Sequence, residues 1–168
     1  QLLPIGYYGI VILVALASGL AGVIFNWGLL NIGRFYSLPC FKRPVEKIAF
    51  ALICAGILGY FLPEVLGGGN ELINHLAKAP VSLQLLLIFL AGKLIFTLIS
   101  YGCGVPGGFF LPMLVIGALC GSICAQILIM LGWIEPAYAT NIMVVAMAAL
   151  FASSVRAPLT GTVLIMEM

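Results

Sequence analysis

Glycine and proline crowd one stretch of this sequence, Gly102-Cys103-Gly104-Val105-Pro106-Gly107-Gly108-Phe109-Phe110-Leu111-Pro112, which runs straight into a long apolar segment. Glycine reaches positive φ without steric cost, so such a run can turn sharply and present successive N–H groups on one side. Where it opens a helix, those groups sit at the positive end of a dipole equivalent to about half an elementary charge. The amides of Phe109 and Phe110 are the best-placed donors for an anion. Gly104, Pro106, Gly107 and Gly108 would shape the turn, and Pro112 falls in the first helical turn, where a missing N–H does no harm. In a low-dielectric setting such donors attract an anion strongly, and without a fixed cation they release it quickly. The same glycines could instead only let two helices pack closely, and spacing alone does not choose.

Other chemistry is scarce. A nucleotide loop needs lysine and Ser/Thr after its last glycine, and here Phe109 and Phe110 follow. Five acids and one histidine offer no carboxylate pair, Ser/His/Asp set or metal cluster, so neither an enzyme nor a cofactor is expected. Lys93 lies mid-way along an apolar run and must find water, a carboxylate or carbonyls. A structural lysine on loop carbonyls is the favoured reading over a direct ligand. Arg156 and Glu167 are the remaining intramembrane charges; they could snorkel at a helix end or lie in a subunit contact, and Arg156 is expected to be structural. His75 reads as surface or interface packing, and Cys40, Cys54, Cys103, Cys120 and Cys124, with no CxxC spacing, as small core residues.

The elements that must position the glycine turn are membrane elements. The chain has 168 residues, 64% hydrophobic and 7% charged, with mean hydropathy +1.26, whereas soluble domains carry about 25% charge. This is a multi-pass integral membrane protein, and a net charge of +2 gives no footing for nucleic acid. The predicted helices are 5–33, 48–62, 70–77, 81–100, 110–131, 141–154 and 157–168, in a single partial transmembrane domain. The first is long enough that it must tilt, since roughly 42 Å of helix exceeds a hydrocarbon core of about 30 Å. Ser18/Gly22, Ala17/Ala21, Ala55/Gly59 and Gly117/Gly121 place small residues four apart, which lets neighbouring helices approach.

The loop 33–47 carries Arg34, Lys42, Arg43 and Lys47 against Glu46, and the positive-inside rule puts it in the cytoplasm. The run 48–62 is short for a perpendicular span, and 141–154 and 157–168 need not span alone. Short, Gly/Pro-interrupted apolar helices mark transporters and channels whose half-helix N-termini point at an anion in mid-membrane. With no initiator methionine and a stop inside an apolar run, the chain is expected to be a piece of a longer protein.

Tyr101-Gly-Cys-Gly-Val-Pro-Gly-Gly-Phe-Phe-Leu-Pro112 resembles the GxPGGxFxP signature of the CLC chloride channels and proton/chloride antiporters. Ser153-Ser-Val-Arg-Ala-Pro-Leu-Thr-Gly161, running on to Met166-Glu167-Met168, looks like their RAPLTG…E segment, and Gly67-Gly68-Gly69 with Leu72-Ile73 is similar to their GGG turn. The resemblance implies an all-α, inverted-repeat CLC-like membrane fold with tilted and broken helices, of which this chain is most of the second repeat. It implies a homodimer with one anion path per subunit, chloride as the transported ion, and Phe109 and Phe110 as amide donors to a central anion. The helix 157–168 would contribute to the dimer interface. The family's gating glutamate, its GSGIP-type serine and its proton-side glutamate belong to the missing first half, and its pore tyrosine to helices beyond Met168. Two other readings stand beside this one: a half-site of another inverted-repeat anion transporter, and a non-conducting structural membrane subunit.

Overall fold

The structure, a computed structural model, describes residues 5–38, 43–66, 69–78, 81–105, 108, 110–155 and 163. The first helix, α1 (Tyr8–Phe35), follows a 3-10 turn at Ile5–Tyr7 and carries Arg34 in its last turn, where a cation meets the negative end of the dipole. The second, α2 (Pro44–Phe61), starts four residues before the apolar run that suggests it. Pro44 occupies the first turn, and the Glu46 carboxylate accepts the Arg43 backbone N–H at 3.0 Å, so a polar turn is stabilised ahead of Ile48. The correction matters, because α2 then has 18 residues and is long enough to cross a membrane.

A 3-10 turn at Pro63–Val65 leads to the short amphipathic helix α3 (Asn70–Lys78), and α4 (Leu83–Gly102) follows. The longest-buried helix is α5 (Phe110–Met130). Its end is a Schellman motif: Gly132 at φ +71°, with Trp133 N–H on the Leu128 carbonyl at 2.9 Å and Gly132 N–H on Ile129 at 3.0 Å. The last described helix, α6 (Ala139–Val155), is led in by a 3-10 turn at Pro136–Tyr138, and the two together form a 20-residue apolar element. Among the described residues five helices are long and apolar enough to span a bilayer. The expected helix 157–168 lies outside the described residues, apart from Val163.

Why does α5 sit in the middle? It is apolar on every side, so no face prefers the outside, and Met113 through Leu119 are all buried. Lipid tails are as apolar as leucine, so burial itself drives little here, and close packing must hold the helices together. The two glycines of α5 supply that closeness. A Cβ on Gly117 would lie 2.8 Å from Met147 Cα, and one on Gly121 would lie 2.7 Å from Met143 Cα. On its other side α6 meets α1, where a Cβ on Gly22 would come within 3.0 Å of the Leu150 carbonyl oxygen. Val14 clusters with Ile142 and Ala146, and Phe25 with Leu150 and Phe151, so α1 and α6 run in the same sense. A second cluster, with Val65, Leu72, Phe89, Val115 and Leu119, fills the space under α3. By contrast α2 leaves Leu52, Ile53, Ile57, Tyr60 and Phe61 exposed among the described residues.

Candidate functional site

The glycine turn begins where α4 ends. Tyr36, just past α1, is buried, and its hydroxyl donates to the Ile99 carbonyl at 2.9 Å, which ties the end of α1 to the end of α4. Burial holds that hydroxyl above its ordinary range. Gly102 has to be glycine-sized, because a Cβ there would come 2.7 Å from the Tyr36 ring. After Cys103, whose thiol donates to the Ser100 carbonyl at 2.9 Å, Gly104 adopts φ +83° and turns the chain back. Val105 and Gly108 are exposed beyond it.

Phe110 is the first residue of α5, its ring edge-on to Phe151 at 5.3 Å between centroids, and Pro112 sits in the first turn. Of the two amide donors expected, Phe110 is therefore at a helix start; Phe109 lies outside the described residues, as do Pro106, Gly107, Arg156 and Glu167.

Lys93 is 1% exposed, and its Nζ donates to the Val65 carbonyl at 2.7 Å, on the 3-10 turn that follows α2. Thr97 Oγ1 donates to the Lys93 carbonyl at 2.7 Å, one turn along α4. Both residues border a cavity of about 430 Å³. The glycine turn closes one side of it through Cys103, Val105, Gly108 and Pro112, and α2 closes another through Ile48, Ala51, Leu52 and Ala55. Among the described residues no group of three His, Cys, Asp or Glu could hold a metal ion. Sequence reasoning missed the α2 wall and Tyr36. The spacing 48, 51, 52, 55 is a helical stripe that could have flagged the wall, whereas nothing local marks Tyr36 as a brace across 63 residues.

The whole chain, residues 1–168, matches the family described as Voltage gated chloride channel. This chain belongs to that family. It is similar to the H(+)/Cl(-) exchange transporter ClcA of Vibrio vulnificus (strain YJ016), 36% identical over 157 residues that make up 89% of this chain and 33% of that protein. It is 34% identical over 169 residues to the same-named protein of Vibrio cholerae serotype O1 (strain M66-2), covering 95% of this chain and 35% of that one. A crystal structure of a slow cyanobacterial Cl-/H+ antiporter aligns with all of this chain and 40% of its own at a TM-score of 0.84 and 28% identity. The chain thus spans about a third of the length of the curated relatives it matches. The CLC-like, all-α membrane fold expected from the glycine and RAPLTG motifs is shown, and with five apolar helices in a chloride-channel family the chain is an integral membrane protein.

Proposed function

We propose that this chain is part of a chloride transporter of the proton-exchanging type, and that the start of α5, at Phe109 and Phe110, supplies backbone N–H groups to a transported anion. The observation that carries this reading is the turn itself: a left-handed Gly104 leads into an uncharged helix start within a family of chloride channels and exchangers. Exchange is preferred to passive conduction because the relatives described above are named as exchangers or antiporters. Among the described residues Lys93 donates to the Val65 carbonyl and the Cys103 thiol at the turn donates to the Ser100 carbonyl, an arrangement that suits transport. The reading needs chloride or a similar anion as cargo, the bilayer, the other part of the subunit, and a second copy as a homodimer. In this arrangement the connection between α1 and α2, with the helix ends that carry Arg34 and Lys47, faces the cytoplasm.

The test is made on the complete protein. Crystals soaked in bromide should give an anomalous peak within hydrogen-bond distance of the Phe109 and Phe110 amides, and reconstituted vesicles should move protons when a chloride gradient is imposed. Chloride flux with no proton movement would make it a channel. A halide peak elsewhere would sink the amide assignment, and no anion flux at all would leave the structural-subunit reading.

A further inference from the structure

Three of the last four carbonyls of α4 take a donor from beyond the helix. The Tyr36 hydroxyl donates to Ile99 at 2.9 Å, the Cys103 thiol to Ser100 at 2.9 Å and the Gly104 N–H to Tyr101 at 3.4 Å. A helix leaves its last four carbonyls short of partners of its own, so such donors set where it stops. Cys103 and Gly104 are the next residues of the chain and travel with α4. Tyr36 comes from the end of α1, 63 positions away, and so fixes Ile99 against the rest of the bundle.

The ring that carries this hydroxyl has little freedom. It is 2% exposed, stands edge-on to Phe50 of α2 at 6.5 Å between centroids, and lies so near Gly102 that a Cβ there would come 2.7 Å from it. These neighbours belong to α2 and α4, which makes the brace internal to the bundle. Electrostatics adds to it. The end of α4 is the negative end of a dipole of about half an elementary charge, a poor neighbour for an anion. Ser100 and Tyr101 at that end border the same cavity as Gly108 and Pro112, which lead into and open α5. A hydroxyl directed at the Ile99 carbonyl offsets part of that negative end and holds the chain where Gly104 turns at φ +83°.

We propose that Tyr36 is a positioning residue for anion binding: by holding the Ile99 carbonyl, its hydroxyl sets where α4 ends and where the amides at the start of α5 stand. The inference rests on the reading that Phe109 and Phe110 hold the anion.

The test is Tyr36→Phe in the complete protein, which removes one oxygen and keeps the ring against Gly102 and Phe50. The chloride concentration at half-maximal flux in vesicles, and the chloride dissociation constant by calorimetry, should each rise about fivefold, the scale of one hydrogen bond. Gly28→Val is the reference, because it crowds Leu98 on the same two helices and leaves the hydroxyl alone. It should lower the thermal midpoint at least as much as Tyr36→Phe and leave both chloride values unchanged. Unchanged chloride values in Tyr36→Phe, or the same rise in Gly28→Val, overturn the proposal. Bromide soaks of the unsubstituted protein separate its failure from that of the anion reading. No halide peak at the Phe109 and Phe110 amides brings down both, whereas a peak there with unchanged chloride affinity in Tyr36→Phe brings down this inference alone.

Discussion

Lys93 shows how a single residue can be read for depth but not for partner. Its place in an apolar run marks it as a group that must be satisfied, yet Val65 is 28 positions away, and only the fold brings that carbonyl within 2.7 Å. Replacing the lysine with an isosteric apolar chain leaves a buried carbonyl short of a donor. Lys93→Met should therefore lower stability by about 1–3 kcal/mol, seen as a fall in the thermal midpoint of the detergent-solubilised complete protein, while Lys93→Arg should lose less. Gly104 makes the complementary case, since its conformational role was legible from composition alone. With φ at +83° and open space around it, Gly104→Ala meets no clash but is strained in its backbone. It should cost about 1 kcal/mol and slow anion flux by displacing the start of α5, whereas Gly108→Ala, also in open space, should cost less.

At the scale of elements, apolar runs and small-residue spacing outline most of the helices, and their failures have physical causes. The start of α2 escapes hydropathy, because Glu46 and Pro44 make a capped polar turn that apolar runs do not register. The close contact of α5 with α6 is different: Gly117 and Gly121 announce it, but not which helix will use it. A Cβ at either position strikes Met147 or Met143 backbone, which cannot rotate aside. Gly117→Val and Gly121→Val should each destabilise the bundle by about 1–3 kcal/mol or more, measured by thermal unfolding. Gly19→Ala on α1 meets nothing within 4 Å and, being in a helix interior, should be neutral or stabilising by up to about 1 kcal/mol. If the α5 glycine variants behaved like Gly19→Ala, the close helix contact would not be what holds α5 to α6.

For the whole molecule, the membrane character was legible in composition, and the family in three motifs, while the cavity was not. It arises where α2 meets α4 and the glycine turn, which lie about forty to sixty residues further along the chain, and no local pattern encodes that meeting. Orientation and assembly belong to this scale. Ser37→Cys, at an exposed position after α1, should react with an impermeant maleimide from the cytoplasmic side only, in a background without other accessible thiols. Labelling from the opposite side would invert the assigned topology. The mass of the purified complete protein, corrected for detergent, should be that of two copies, and a monomer mass would remove the homodimer.

The backbone-close seams that join α5 to α6 and α6 to α1 have a mechanical consequence. Three helices that touch at glycine cannot slide past one another without climbing over methyl-sized steps, so together they act as a stiff frame. Among the described residues α2 shows no such teeth, and its Phe50 ring packs on Phe35 and Tyr36. Of the two helices, α2 should therefore exchange its amides with deuterium sooner than α5.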